Sequence, residues 1–235
     1  MNNNNHTTHT PYIMGVLNLT PDSFSDGGKY QNIDSALTHI EQMITAGADI
    51  IDIGGQSSRP GATPLSEAEE LDRICPVLEK IQSTFGDVKI SIDTFEYKVM
   101  QAVMEFKPWM INDIYGFNTL EKRQLAKKHG VRICIMHMQN SPKTMQNAPQ
   151  YKAIVNEVSH FLQSRITTCE QAGIDRAHIF IDPGFGFGKT LEHNISLLKA
   201  LPHFASLTPN LLVGLSRKTM IGELTHRQVD DRLYG

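Results

Sequence analysis

Polar side chains that could bind a small molecule come directly after short apolar runs of the chain. Asp93 and Asp182 each end such a run, Asn112 ends another, and Lys218 closely follows a fourth. A buried amide without hydrogen-bond partners is costly, so Asn112 needs a partner. The donor and acceptor edge of a polar heterocycle would suit this amide and the two carboxyl groups. A lysine suits phosphate. For Asp93 an alternative stays open, since Asp93-Thr94 could also cap the next helix.

Two loops after earlier runs carry further candidates. Asn18 opens a loop, NLTPDSFSDGG, that contains Phe24, and its amide oxygen could serve Mg²⁺, which keeps waters and shares ligands with substrate phosphate. The second loop, GGQSSRPG, holds Ser58, Arg59 and Pro60, and the planar guanidinium suits an anion. A solvated surface turn is the alternative for each loop.

A glycine-rich loop, DPGFGFGK, begins at Asp182. The nucleotide phosphate loop would need glycine where Pro183 lies, so that motif fails. Phe185 and Phe187 alternate with glycines and could stack on a flat substrate, although one of the two is expected in the core. Ser216 opens the basic SRK segment, whose alternative is a helix start with solvated cations.

No nucleophile with a matching base is recognisable in the sequence. His137 ends an apolar run and could be a general base, but a packed structural histidine is an equal alternative. Because no Ser-His-Asp or Cys-His set and no mid-strand lysine is found, the residues favour catalysis by positioning and by stabilising a leaving group.

The elements that must position these residues alternate between strands and helices. The runs are apolar almost throughout, as in strands buried on both faces, and cover 12–17, 49–53, 88–92, 109–111, 132–136, 178–181 and 211–215. Helical spacing is clear in Ile33, Leu37, Ile40 and Ile44, and again after a predicted Ser66–Glu69 capping box, in a helix that Pro76 should kink. Polar groups after every strand favour a barrel over an open doubly wound sheet.

Composition narrows the function classes. The net charge of −3 and the absence of a dense Lys/Arg block argue against nucleic acid, and no apolar run reaches the roughly 18–20 residues of a membrane span. Cys75, Cys134 and Cys169 are interpreted as core residues in a reducing compartment. We expect a disordered polar tail over residues 1–10, one domain over 11–235, and a cytoplasmic location.

The motifs GVLNLTPDSFSDGG, DIGGQSSRPGAT, SIDT, INDIYG, MHMQNSPKTMQ, DPGFGFGKT and LLVGLSRKTMIGEL closely resemble those of the dihydropteroate synthase family, from about residue 12 to the end. The resemblance implies a pterin-binding (β/α)₈ TIM barrel. It also implies a transferase of folate biosynthesis that joins 6-hydroxymethyl-7,8-dihydropterin diphosphate to 4-aminobenzoate, with Mg²⁺ and with sulfonamides as inhibitors. Diphosphate is thought to leave first in this family.

The resemblance also implies roles for individual residues. Asn18 corresponds to the metal contact, and Asp93, Lys218 and Arg59 to the catalytic set. The pterin diphosphate residues are Ser58, Asp93, Asn112, Asp182 and Lys218. The 4-aminobenzoate residues are Phe24, Ser58, Arg59, Pro60, Phe187 and Ser216.

The sequence departs from the family pattern in two places. Gln56 replaces the acid and Ser58 the threonine of the usual GGEST motif. Past residue 215 the pattern predicts that the eighth strand and helix of the family are missing. The Arg-x-His motif that contacts diphosphate in the family lies on that strand and is missing too. Because the family's dimer contacts lie near the C-terminus, a homodimer is expected only with a complete C-terminus. One alternative is therefore a catalytically impaired pterin-binding protein. Another alternative is a pterin-dependent methyltransferase. The SRK and SFSDGG loops argue against it, because its chemistry needs neither diphosphate nor aminobenzoate contacts.

Overall fold

The computed structural model describes residues 10–19, 29–57, 65–146 and 148–234. Within these ranges six parallel strands follow one another in sequence order across a single sheet. They are β1 (Met14–Asn18), β2 (Ile50–Gly54), β3 (Lys89–Asp93), β4 (Met110–Asp113), β5 (Arg132–Met136) and β6 (Ile179–Asp182). The predicted α/β alternation is confirmed, and all six strands fall within two residues of the predicted runs.

Helices connect the strands and cover one face of the sheet. They are α1 (Lys29–Thr45), α2 (Glu67–Thr84), α3 (Tyr97–Val103), α4 (Leu120–His129), α5 (Ile154–Gln171), α6 (Leu191–Lys199), α7 (Leu201–Ala205) and α8 (Thr219–Thr225). The predicted capping box is present, with Ser66 accepting from the Glu69 amide and Glu69 accepting from the Ser66 amide. The helix it starts, α2, runs as one element through Pro76.

The strands separate an apolar face from a polar one. Alternate residues such as Ile53, Ile92, Ile111 and Ile133 are fully buried in the core shared with the helices. The residues between them point to the opposite, inner face, because side chains alternate along a strand. This alternation places the polar residues that end the strands at one edge of the inner face.

The seventh apolar run does not form the predicted strand. Of residues 211–215 only Leu211 pairs with the sheet, opposite Ile181, and the Leu212 amide donates to the Ile181 carbonyl at 2.9 Å. In the described residues this segment has β6 on one side and no strand on the other. The sheet is thus open between β1 and this segment, where Ile13, Val16 and Val213 are exposed.

Several sequence predictions fall outside the described residues. These are Phe24, Ser58, Arg59 and Pro60, together with the predicted tail apart from residue 10. Across the described part of the chain, no helix has both the length and the apolar character needed to cross a bilayer.

Candidate active site

Three predicted site residues, at or next to the ends of β1, β3 and β4, share one row of the sheet. Asn18 on β1 is in register with Gly54 on β2, which is in register with Asp93 on β3, and Asp93 is in register with Asn112 on β4. Adjacent strands lie about 4.8 Å apart, so this row brings an amide, a carboxyl group and a second amide to one edge. Carboxyl ends of parallel strands are the usual place for a ligand site.

Asp52 belongs to the same face and was not singled out in the sequence. It lies in the middle of β2, is buried, and accepts a hydrogen bond from the Asn112 side-chain nitrogen at 3.4 Å. Burial raises the pKa of Asp52. The sequence did contain a signal for Asp52, because it is an acid inside an otherwise apolar strand. Only a hydrogen-bond partner or a functional role offsets the loss of hydration of such a buried acid.

Asp93 is the most perturbed carboxyl group of the row. Loss of hydration raises its pKa well above the usual value, and the carboxylates of Asp52, Glu70 and Asp113 raise it further. Like charges close together resist ionising at the same time. Asp93 is therefore poised to hold a proton or to accept hydrogen bonds from a ligand that brings its own donors.

Asp113, next to Asn112, serves the fold instead. It points to the helix side, where it is fully buried and pairs with Lys122 at 2.9 Å. Its carboxylate also accepts from the backbone amides of Tyr115 at 2.8 Å and Phe117 at 3.0 Å. This set of donors satisfies a buried charge and fixes the turn after β4.

The second half of the site forms around the glycine-rich loop after β6. Asp182 is buried and accepts from the Gly184 amide at 2.7 Å. Lys218 donates to the Phe185 carbonyl at 2.6 Å, and its Nζ lies 5.0 Å from the centre of the Phe187 ring. The structure thus brings together Asp182, Phe187 and Lys218, as the sequence predicted.

Electrostatics couple Asp182 to Lys218. Burial raises the pKa of Asp182, while the positive charges of Lys218 and Lys189 act in the opposite direction. Burial lowers the pKa of Lys218, and Asp182 partly offsets this. The pair places one carboxyl group and one cation at the same edge as Asp93 and Asn112.

The two residues that precede Lys218 in the chain face the surface. Ser216 is exposed at the end of the seventh segment. Arg217 is exposed, has a left-handed backbone (φ 57°) and pairs with Asp230 at 3.2 Å. Of the SRK residues, Lys218 alone is directed toward the glycine-rich loop by a hydrogen bond that the structure describes.

His137 is packed rather than poised as a base. It is buried, and its Nδ1 lies 3.1 Å from Nζ of Lys189. Burial, and then the Lys189 charge, lower the pKa of His137 to about 3. An imidazole of such low pKa is a weak base, and its Nδ1 already faces Lys189, which favours the structural alternative. The sequence analysis did not identify Lys189 as a site residue. Lys189 is the lysine of the phosphate-loop pattern, which Pro183 rules out.

The three thiols give no nucleophile. Cys134 and Cys169 are buried, Cys75 is half-buried, and all three are free. Burial raises the pKa of each of them. A thiol of raised pKa is a poor nucleophile, as expected of core cysteines.

Gln56, the first departure from the family pattern, lies buried near Glu70. Burial raises the pKa of Glu70, and the Gln56 side chain acts in the opposite direction. Nearby, Arg73 donates to the Gly55 carbonyl at 3.1 Å. A neutral amide here adds no further negative charge beside Glu70.

Oxygen donors at the β1–β3 edge would suit a hard cation shared with a substrate. A Cβ built on Gly54 would lie 3.5 Å from Oδ2 of Asp93 and 3.8 Å from Oδ1 of Asn18, so both oxygens flank this glycine. Among the described residues, no group of at least three His, Cys, Asp and Glu side chains could hold a metal alone. Amide and carboxylate oxygens with substrate phosphate match the preference of Mg²⁺.

Comparisons with known proteins agree with this arrangement. The sequence profile of the family described as pterin binding enzyme matches residues 14–235. The dihydropteroate synthase of Escherichia coli (strain K12) is 47% identical over 225 residues, which cover 96% of this chain and 79% of that protein.

Solved structures extend the likeness to the fold. A Yersinia pestis dihydropteroate synthase in a sulfonamide drug complex matches with a TM-score of 0.86 and 44% identity, covering 95% of this chain and 80% of that one. The Xanthomonas albilineans dihydropteroate synthase with 4-aminobenzoic acid matches with a TM-score of 0.87 and 41% identity, covering 95% and 80%. These relatives are TIM barrels, which confirms the predicted fold class. The chain therefore belongs to the dihydropteroate synthase family of pterin-binding enzymes.

Proposed function

We propose that this chain joins 6-hydroxymethyl-7,8-dihydropterin diphosphate to 4-aminobenzoate, giving 7,8-dihydropteroate and diphosphate. The observation that carries the proposal is the convergence of Asp93, Asn112, Asp182 and Lys218 on one edge of the inner face. The relatives are transferases with this activity, and they do not favour the alternative of pterin binding without catalysis.

The pterin ring is assigned to the polar pocket between β2 and β6. Asp93 and Asp182 accept from the ring N–H groups, and Asn112 can both donate and accept, as an aminopyrimidinone edge requires. The Asp52–Asn112 hydrogen bond of 3.4 Å orients that amide. Lys218 supplies a cation on the ring side opposite β2–β4, held by the Phe185 carbonyl.

The reaction needs charge stabilisation more than proton transfer. The C–O bond between the pterin methylene and the diphosphate breaks, and diphosphate leaves with the electron pair. The carboxylates of Asp93 and Asp182 stabilise the positive charge that develops on the pterin. The 4-aminobenzoate nitrogen then bonds to the methylene carbon and releases one proton. Ser58 is assigned to both substrates. The other 4-aminobenzoate residues are Phe24, Arg59, Pro60, Phe187 and Ser216.

A Mg²⁺ ion would be held by Asn18 and shared with the diphosphate, and the Asp93 carboxyl group flanks the same glycine. When bound, such an ion neutralises charge on the leaving group. Asn18 ends β1 and is exposed, so its amide is accessible to a substrate–metal complex.

A direct assay of the purified chain tests the proposal. Dihydropteroate formation is measured with both substrates and Mg²⁺, alongside calorimetry of pterin diphosphate binding with and without Mg²⁺. Product formation that saturates in both substrates is the expected result. Binding of pterin diphosphate with no product would instead support the binding-only alternative, and neither binding nor product would refute the assignment of the pocket.

Assembly and location are further parts of the proposal. The family resemblance implies a homodimer, and composition favours the cytoplasm. Because the homodimer is expected only with a complete C-terminus, light scattering during size-exclusion chromatography should give the monomer mass of 26.3 kDa for this chain, and a dimer mass would contradict that condition. The extent of the single domain, residues 11–235, is testable by limited proteolysis.

A further inference from the structure

A buried lysine outside the assigned substrate contacts joins two loops of the site. Lys189 ends the glycine-rich loop and is only 4% exposed. Its Nζ donates to the carbonyl oxygens of Gly184 at 2.8 Å, Phe187 at 2.9 Å and His137 at 3.2 Å, and lies 3.1 Å from Nδ1 of His137. Gly184 and Phe187 belong to the loop after β6, whereas His137 follows β5.

We propose that Lys189 is a positioning residue that ties the loop after β6 to the loop after β5 and thereby fixes Phe187 and Asp182 in their substrate contacts. This inference rests on the proposed function, which supplies the two substrates. It assigns Lys189 no contact with either of them.

The alternative, that Lys189 reacts as an amine, is disfavoured by its surroundings. A buried lysine of lowered pKa can be a nucleophile, and burial lowers the pKa of Lys189 to about 7. Here three carbonyl oxygens and one ring nitrogen surround the three N–H groups. These acceptors hold the N–H groups in place, and at 4% exposure the nitrogen is shielded from a substrate.

The glycine-rich backbone that precedes Lys189 is weakly restrained by its own residues. Gly184, Gly186 and Gly188 all have positive φ values of 62–80°, a region that glycine enters without steric cost. A flexible loop of this kind needs an external anchor to order its aromatic ring. The anchors that the structure describes are Lys189, Lys218 on the Phe185 carbonyl, Asn194 on the Gly186 amide, Gln146 on the Gly186 carbonyl, and Tyr151 on the Gly188 carbonyl.

Lys189 reaches the two substrate pockets through this backbone. It holds the carbonyl of Phe187, whose ring is assigned to 4-aminobenzoate. It holds the carbonyl of Gly184, whose amide donates to Asp182 in the pterin pocket. Asp93 and Asn112 lie on β3 and β4 and keep their positions independently, so the aminobenzoate side depends on Lys189 more strongly than the pterin side.

The charged and titratable groups facing Lys189 come from three elements. Asp182 on β6 favours its charged form, Lys218 ahead of α8 disfavours it, and the neutral His137 ring after β5 accepts from it. Substitution of Lys189 therefore also changes the field at Asp182, which shares these partners.

Kinetics of Lys189→Met, with Lys122→Met as the matched control, test the inference. Lys122 is an equally buried lysine, but its partner is Asp113 on the helix side, so its loss should lower stability without touching the loop. We expect Lys189→Met to raise the KM for 4-aminobenzoate at least about tenfold, with a smaller change for pterin diphosphate, whereas Lys122→Met leaves both KM values unchanged.

Hydrogen exchange of the loop gives a readout that needs no activity. Amides of residues 184–188 should exchange at least about tenfold faster in Lys189→Met than in the wild type or in Lys122→Met. If Lys189→Met does not fold, Lys189→Gln, which keeps two N–H donors, should show the same changes at smaller size.

The outcomes separate the inference from the proposed function. Wild-type KM values and wild-type loop exchange in the Lys189 variants overturn the positioning role, as do equal changes in Lys122→Met. A wild-type chain that forms no dihydropteroate overturns the proposed function instead, while the exchange data still decide whether Lys189 holds the loop.

Discussion

The Nζ atom of Lys218 lies 5.0 Å from the centre of the Phe187 ring, and the same atom donates to the Phe185 carbonyl at 2.6 Å. One cation therefore contacts both the aromatic residue assigned to 4-aminobenzoate and the loop that carries Asp182. Ammonium groups over aromatic faces are attracted by the ring quadrupole. The two substrate pockets meet at this lysine.

Replacing Lys218 with alanine should weaken pterin diphosphate binding. The change removes a half-buried cation from the pterin pocket, and a hydrogen bond from a charged group to the ligand is worth about 1.5–3 kcal/mol, so Kd should rise at least about tenfold. Calorimetry measures this directly. Arg217→Ala is the matched control, because Arg217 is exposed and pairs with Asp230 at the surface. Equal affinities of the two variants would remove Lys218 from the pocket.

The sequence predicted the order of the elements well, and for a physical reason. Strands buried on both faces must be apolar, so β1–β6 stood out as runs, and the capping box marked the start of α2. The segment over 211–215 has the same composition but forms one bridge pair, at Leu211. Strand formation depends on pairing with neighbouring strands, and composition carries no information about that pairing.

Within the site, the sequence predicted positions better than contacts. The strand-end residues Asp93, Asn112 and Asp182 were found because loops after strands carry ligand sites. Asp52 was missed because it lies within its strand, and Lys189 because its partners are backbone carbonyls, which leave no trace in residue types. Those contacts depend on backbone geometry that three glycines of positive φ create.

Replacing Asp93 with asparagine should stabilise the free protein while weakening pterin binding. The raised pKa of Asp93 means that the folded state holds its proton more tightly than the unfolded state does. Between its usual pKa and the raised value the folded state binds more protons, so this residue's contribution to stability falls as pH rises through that window. Asp93→Asn removes the repulsion with Asp52 and Glu70, and should gain about 1 kcal/mol at neutral pH.

Urea unfolding from about pH 4 to about pH 8 measures this difference. The wild type should lose stability relative to Asp93→Asn as pH rises, and the gap should close at the acid end. A constant gap across the range, or a less stable variant at pH 7, would contradict the assigned repulsion. Lower affinity for pterin diphosphate in the more stable variant would show that the carboxyl group is retained for binding.

Replacing Gly184 with alanine should disrupt the glycine-rich loop. A Cβ at this position would overlap the His137 carbonyl oxygen, a backbone atom that cannot rotate away, and φ is +72°. The loss should be at least about 3 kcal/mol. Gly86→Ala is the control, because Gly86 has a φ of +57° with nothing within 4 Å of the added carbon, and should lose only about 1 kcal/mol. Thermal unfolding compares them, and similar losses would show that the loop yields without strain.

The neighbours Asn112 and Asp113 should separate binding from stability. Asp113→Ala leaves Lys122 buried without its carboxylate and frees the Tyr115 and Phe117 amides, so unfolding free energy should fall by about 3–5 kcal/mol. Asn112→Ala removes a single 3.4 Å hydrogen bond to Asp52, with an expected cost of about 1 kcal/mol and a clear loss of pterin affinity.

The double variant Asp113→Leu with Lys122→Met makes this comparison sharper. It removes both buried charges together, and apolar replacements of a buried ion pair are often tolerated. We expect it to recover much of the stability lost in Asp113→Ala, with pterin affinity at the wild-type level, measured by urea unfolding and calorimetry. If Asp113→Ala kept its stability but lost pterin affinity, the carboxylate would face the pocket instead, and the separation of the two strand faces at the end of β4 would be wrong.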